Sequence, residues 1–352
     1  MMSIRDGESV GSDFRLFTCR SNPELGKEIS DCLGLRLGQV EIRTFPDSET
    51  HVQIEESVRG TDVYVIQPTC EPVNDNLMEL LVMLDALRRA SARQVTAVIP
   101  YFVYARQDHK STGREPITAK LVVDLLTTAG ADRVISVDLH ATQIQGFANI
   151  PFDHLTALGI LSTYLNEQKI KDGVVVSTDV GRAKLAEKYA GILHTPLAIM
   201  HRQRSGIGGR SVEVDQIVGD VSGKTPILID DLIAGGSIYK HADALVEAGA
   251  NPVHIAITHP VLTSQACQLL DRPSIQEIVT TNTIPVPAEK QINGKVRVLS
   301  IAPLLAEAIF RIHKHRSVSR VFFDQKLDFS VIELNSFLFI LILPSGSLTA
   351  VE

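Results

Sequence analysis

The sequence has no apolar run long enough to cross a membrane, no run of Lys and Arg, and no two cysteines in a CxxC spacing. Each absence closes a class of protein. A spanning helix needs about 20 apolar residues, whereas the most apolar stretch, Val331 to Leu343, is shorter and is interrupted by Glu333 and Asn335. It reads as an added strand, an interface segment or a disordered end, and no membrane partner is expected. The formal net charge is −7 over 352 residues, so a nucleic-acid surface is not expected and any basic site must be local. Cys19, Cys32, Cys70 and Cys267 are widely scattered, which argues against a zinc site and a disulfide framework and fits a reducing cytoplasm. Met1 to Asp13 mixes Arg5, Asp6 and Glu8 with small residues, lacks the apolar core of a signal peptide, and reads as a frayed lead-in.

What is present is alternation. Arg15 to Cys19 reads as a strand, followed by a helix start with Asn22 as cap and Pro23 at the first helical position. Short β-rich runs at Val40–Ile42, His51–Ile54, Val63–Ile66, Val95–Ile99 and Val134–Val137 are separated by amphipathic helices, clearest at Leu77 to Ala90 and Ile117 to Thr128. A second block follows from Ala157, with strands near Val174–Ser177, Leu197–Ile199, Ile227–Ile229, Val253–Ile257 and Ile278–Thr280, and a last helix over Ile301 to Lys314. The length suits about two domains, and the alternation predicts α/β domains with mainly parallel sheets. The boundary is expected near Pro151 to Thr156.

In such folds ligands bind at the carboxyl edge of the sheet, so polar residues just past each strand are the candidates for chemistry. Asp230-Asp231 ends an apolar strand, and Gly235-Gly236-Ser237 opens the following helix, a cradle of main-chain N–H groups for an anion. Two carboxylates beside a phosphate cradle suit a sugar phosphate; the alternative is a solvated strand end and a glycine turn. The loop Tyr101 to Arg114 is rich in donors: Arg106 and Lys110 suit a polyphosphate and Gln107 a base edge, against a solvated basic loop. Phe45-Pro46-Asp47-Ser48-Glu49 is a turn whose exposed ring suits base stacking, worth about 1–3 kcal/mol per base. His140 follows a strand beside Asp138 and is a candidate metal ligand or a satisfied structural histidine. Asp179 is either a helix cap or a ligand.

Taken together, these stretches resemble the ribose-phosphate pyrophosphokinases of the bacterial-type class, from about Phe14 to Phe323. The most specific pieces are Asn74 to Leu80, Asp85 to Ser91, Ile99-Pro100-Tyr101-Phe102 with Tyr104 to Asp108, Pro116 to Lys120, Asp138 to Ala141 and Gln143 to Phe147. The resemblance implies two doubly wound phosphoribosyltransferase-like domains: an ATP-side domain over 14–156, joined by the C-terminal helix 301–323, and a ribose-phosphate-binding domain over 157–300. Residues 1–13 would be a lead-in and 324–352 an atypical tail. It also implies transfer of the diphosphoryl group of ATP to ribose 5-phosphate, with Mg2+ required, in a cytoplasmic homohexamer; the alternatives are a non-catalytic regulatory subunit associated with a synthetase, or a phosphoribosyltransferase, which would share the Asp230 loop. Phe45, Asp47 and Glu49 would hold adenine from a neighbouring subunit, and Arg106, Gln107 and His109 would lie in the ATP loop. His140 and Asp179 would ligate magnesium, Asp230 and Asp231 would hold the ribose hydroxyls, and Gly235, Gly236 and Ser237 the 5-phosphate. Arg59, Ser91, Arg114, Ser317 and Ser319 would form a regulatory site for phosphate or ADP.

The departures from the family pattern cluster at the catalytic end. His201-Arg202-Gln203-Arg204 stands where the family has Asp-Lys-Arg-Arg, which makes Arg202 and Arg204 the expected catalytic cations in place of a lysine and an arginine. The Asp230 loop is one residue shorter than the family's and lacks its third acid. Thr112 replaces an arginine, and a glycine pair after Asp179 becomes Gly181-Arg182.

Overall fold

The computed structural model describes residue 11 and residues 13–319, except 206–211, 236, 270 and 292–293. The apolar stretch from 331 to 343 and most of the lead-in therefore lie outside the described residues. So do Gly236 and the side chains of Arg202, Arg204 and Ser237.

In chain order the first half comprises β1 (Phe14–Thr18), α1 (Pro23–Leu33), β2 (Val40–Thr44), β3 (Thr50–Ile54), β4 (Asp62–Ile66), α2 (Val73–Arg89), β5 (Gln94–Ile99), α3 (Thr118–Ala129), β6 (Arg133–Val137) and β7 (Phe152–Leu155). The second half continues with α4 (Leu158–Glu167), β8 (Gly173–Ser177), α5 (Ala183–Leu193), β9 (Leu197–Ser205), β10 (Val212–Val218), β11 (Thr225–Leu232), α6 (Ser237–Glu247), β12 (Val253–His259), α7 (Ser264–Gln268), β13 (Ile275–Thr281), β14 (Val296–Leu299) and α8 (Ala302–His313). Local chemistry sets the boundaries. The Asn22 side chain accepts the Leu25 N–H at 3.2 Å to open α1, Pro23 supplies a preset first turn, and Gly34 closes the helix at φ 65°.

Strands β1-β4-β5-β6-β7 form one wholly parallel sheet. The second sheet runs β10-β9-β8-β11-β12-β13-β14, parallel except for the antiparallel pair β9/β10. Its strand order reverses between β8 and β11, which places Asp179 and the Asp230-Asp231 pair at the two sides of a switch point.

Alternation along each strand feeds separate cores. Val63 and Val65 enter a core with α2 and α3, while Tyr64 and Ile66 enter a central core that also takes residues of α1, α4, α5 and α8. On the other sheet Ile227 and Ile229 face that same central core, and Leu228 faces a third core with Ala242 and Leu245 of α6. Each sheet is thus covered on both faces, and the central core joins the two halves. A polar clamp reinforces the junction: Asp62 of β4 accepts from Arg93 Nε at 2.8 Å and faces His313 Nδ1 of α8 at 3.2 Å.

The structure corrects the element reading in four places. Strands β2 and β3 do not join the parallel sheet; no helix separates them, and they pair antiparallel as a hairpin of their own. Phe152–Leu155, inside the stretch read as a boundary, is an edge strand. The strand read at Leu197–Ile199 continues to Ser205 and pairs antiparallel with β10, and Val296–Leu299 is a further edge strand.

Candidate active site

The carboxyl ends of β5, β6, β11 and β12 meet around a cavity of about 390 Å3. Its wall includes Tyr101, Arg106, Gln107, His140, Asp231 and His259. The donor-rich loop, the candidate histidine and one of the paired carboxylates thus share a single space.

Asp230 and Asp231 occupy the end of β11, whose apolar residues anchor it in the sheet. The Asp231 N–H donates to Asp230 Oδ1 at 2.8 Å. Asp231 is buried, and its Oδ2 lies 2.6 Å from His140 Nδ1 and 2.7 Å from Arg182 Nη2. Burial alone would raise the Asp231 carboxyl, but the His140 hydrogen bond and the Arg182 charge outweigh it and hold the group well below the usual carboxylate range. Asp230 goes the other way. Burial, then the neighbouring Asp231 charge, push it up to about 7. Near neutral pH the pair therefore holds a fixed acceptor beside a group that exchanges its proton.

His140 is delivered by the turn Asp138-Leu139-His140, which is held from several sides. Asp138, at φ 36°, accepts from Ala157 N at 2.9 Å and Thr258 Oγ1 at 2.6 Å. The Leu139 N–H donates to His154 Nε2 at 2.9 Å. Buried His259 places Nε2 3.1 Å from the Val137 carbonyl and 3.2 Å from that of Asp138. Two carbonyls at Nε2 require a proton there, which leaves Nδ1 to accept from Thr283 Oγ1 at 3.0 Å. Burial lowers the His259 pKa, in keeping with a neutral ring. Thr258, His259, Asp138 and Arg182 were not singled out as site residues from sequence. The signal that found Asp230 was also present at β12, where an apolar strand ends in Thr258-His259 at the same edge.

In the loop after β5, Gln107 Oε1 accepts from Thr118 Oγ1 at 2.6 Å, so part of its amide is already engaged. Asp108 is buried beneath the loop between His109 Nδ1 (2.8 Å) and the Gln143 amide, while His109 itself is exposed. Arg106 is exposed at the cavity wall. Thr112, where the family has arginine, is tied to Glu115 by both its N–H and its hydroxyl.

Other expected residues lie elsewhere. Phe45, Asp47 and Glu49 are at the exposed tip of the β2/β3 hairpin, closed by the Phe45 N–H to Glu49 carbonyl bond at 2.8 Å, and do not line the cavity. Arg59 adjoins Ser91 through the Gly60 N–H to Ser91 carbonyl bond at 2.9 Å, whereas Arg114, Ser317 and Ser319 are exposed on other segments. Gly235 lies between the end of β11 and the start of α6.

The pair expected to ligate magnesium has other partners here. Asp179 Oδ1 caps the next turn by accepting the Arg182 N–H at 2.9 Å, the cap role rather than a ligand role. His140 Nδ1 is committed to Asp231, and the Arg182 guanidinium stands against the carboxylates. Among the described residues, no three His, Cys, Asp or Glu side chains gather as a metal site. With Arg182 against them, the Asp230-Asp231 carboxylates do not fit a resident divalent ion.

The fold and this site define an α/β protein with a polar site where the carboxyl edges of two mainly parallel sheets meet. Residues 14–130 match the family described as the N-terminal domain of ribose phosphate pyrophosphokinase, and residues 212–323 match a phosphoribosyl synthetase-associated domain. The ribose-phosphate pyrophosphokinase of Bacillus subtilis is 50% identical over 311 residues, covering 88% of this chain and 97% of that protein. That of Caldanaerobacter subterraneus subsp. tengcongensis is 51% identical over 313 residues, with 88% and 98% covered. The crystal structure of phosphoribosylpyrophosphate synthetase from Mycobacterium smegmatis superposes with a TM-score of 0.81 at 45% identity, over 86% of this chain and 100% of that one. The chain belongs to the ribose-phosphate pyrophosphokinase family.

Proposed function

We propose that this chain transfers the diphosphoryl group of ATP to the 1-hydroxyl of ribose 5-phosphate, releasing AMP and forming phosphoribosyl pyrophosphate. The observation that carries this reading is the shared cavity, in which the Arg106–Gln107 loop and the Asp231–His140 pair face the same space. A polyphosphate against the loop and a sugar against the carboxylates would bring donor and acceptor together.

The sugar oxygen attacks the β-phosphorus, and the bond from that phosphorus to the α–β bridging oxygen breaks. Such a transfer asks the protein mainly for positioning and charge neutralisation. Asp230 and Asp231 accept the ribose hydroxyls, and the N–H groups of Gly235, Gly236 and Ser237 cradle the 5-phosphate at the start of α6. Arg106, Gln107 and His109 hold the ATP phosphates, and Arg202 and Arg204, on β9, neutralise the group in transit. Mg2+ would be supplied together with ATP and would add charge neutralisation on the phosphates. Phe45, Asp47 and Glu49, exposed at a hairpin tip, serve the adenine of a neighbouring copy in a homohexamer. Arg59, Ser91, Arg114, Ser317 and Ser319 take phosphate or ADP as effectors.

The test is AMP formation from MgATP with and without ribose 5-phosphate. Sugar-dependent AMP is expected; none at micromolar enzyme would reject the reading.

A further inference from the structure

One arginine reaches both side chains expected to ligate magnesium. Its main-chain N–H donates to Asp179 Oδ1, and its guanidinium Nη2 lies 2.7 Å from both Asp231 Oδ2 and His140 Nδ1. His140 Nδ1, 2.6 Å from the same carboxylate oxygen, donates to it when it carries the ring proton; Arg182 has no acceptor, so its 2.7 Å approach to Nδ1 is then a contact between two donors sharing one carboxylate and not a bond. Asp231 Oδ2 thus receives two donors. Arg182 Nε lies a further 3.6 Å from Asp230 Oδ1. The Arg182 side chain is 17% exposed and that of Asp231 5%, so this is a largely desolvated ion pair.

Local sequence aims the arginine. Asp179 caps the short turn Val180–Arg182, and Gly181 keeps that turn tight, since a Cβ there would meet Asp179 Oδ1 at 3.1 Å. The carboxylate of residue 179 therefore fixes the backbone of residue 182, whose side chain crosses to the end of β11. A planar fork reaches two adjacent carboxylates where a lysine ammonium reaches one. Magnesium takes oxygen ligands at about 2.0–2.1 Å in near-octahedral geometry. To reach Asp231 Oδ2 the ion must expel the guanidinium; to sit beside it, it must accept repulsion in a poorly solvated site.

We infer that Arg182 is the resident cation of this site: its guanidinium neutralises the Asp230-Asp231 pair, and a divalent ion binds there only by displacing it. The inference concerns the charges of the chain itself and does not depend on the reaction proposed above.

The probe is Mn2+ added to the full chain without nucleotide or sugar, with free ion followed by electron paramagnetic resonance. Arg182→Gln keeps much of the side-chain volume and removes the charge. It should bind Mn2+ about 10- to 100-fold more tightly than the wild type, the range to which a charged hydrogen bond converts. Arg182→Lys should fall between the two, and it decides the matter alone if circular dichroism shows Arg182→Gln to be unfolded. Equal or weaker Mn2+ binding in the variants, or no measurable binding in any of the proteins, overturns the inference. Failure of the functional reading would show separately, as absence of sugar-dependent AMP from the wild type.

Discussion

At the scale of single residues, Asp231 is the hub: His140, Arg182 and the wall of the cavity meet on one carboxylate. Asp231→Asn keeps the shape and removes the charge that both donors need. In steady-state assays we expect kcat/KM for ribose 5-phosphate to fall about 100-fold, equivalent to about 2.7 kcal/mol. Asp230 behaves differently because its folded pKa is raised to about 7. Between about pH 4 and pH 7 the folded state holds a proton that the unfolded chain releases, so this residue's contribution to stability falls as pH rises through that window. Asp230→Asn removes the effect. Urea denaturation should find the variant more stable than the wild type by about 2 kcal/mol at pH 8, with the difference shrinking toward pH 5.

At the scale of elements, α8 is tied to the first sheet by a buried polar clamp as well as by the central core. Burial acts to raise the Asp62 carboxyl, but hydrogen bonds from Arg93 and His313 outweigh it and hold it low. A depressed acid stabilises the fold above its unfolded pKa, about 3.9, and loses that contribution as pH falls further. Asp62→Asn should therefore cost about 2 kcal/mol at pH 7 in a denaturant titration and blunt the loss of stability seen on acidification. Elements with strong apolar periodicity were legible in the sequence, as were their caps: β1, α1 with Asn22 and Pro23, β4, β5, β6, β11 and β12. The other three edge strands of the two large sheets, β7, β10 and β14, were not. Phe152–Leu155 carries Asp153 and His154, β10 carries Glu213 and Asp215, and Val296–Leu299 carries Arg297. Edges are where charge is tolerated and the apolar signal thins. The β2/β3 hairpin was misplaced because two short half-exposed strands look alike whether they join a large sheet or pair with each other.

At the scale of the whole molecule, the site exists because two sheets present their carboxyl edges to each other. His259 of the second sheet holds the Val137 and Asp138 carbonyls of the first. His259→Phe keeps a ring beside Tyr101 but orphans those carbonyls, and should lower kcat by about tenfold. His259→Gln, which restores an N–H donor, should recover part of it, as read from paired kcat and KM measurements. This kind of coupling was hidden in the sequence. The strand ends announced Asp230, His140 and Asp179 one at a time, but their joining through Arg182 depends on a contact between β11, the turn after β8 and the turn after β6, segments 42 and 91 residues apart in the closest pairs with His140.

The most direct measurement of the central claim is 31P nuclear magnetic resonance of MgATP and ribose 5-phosphate incubated with the full chain. The account predicts that the three ATP resonances give way to the AMP singlet and to a coupled pair from a diphosphate carried on the sugar, in equal amounts and only when the sugar is present. Release of ADP with a singly phosphorylated product, or AMP with free pyrophosphate and unchanged sugar, would contradict it.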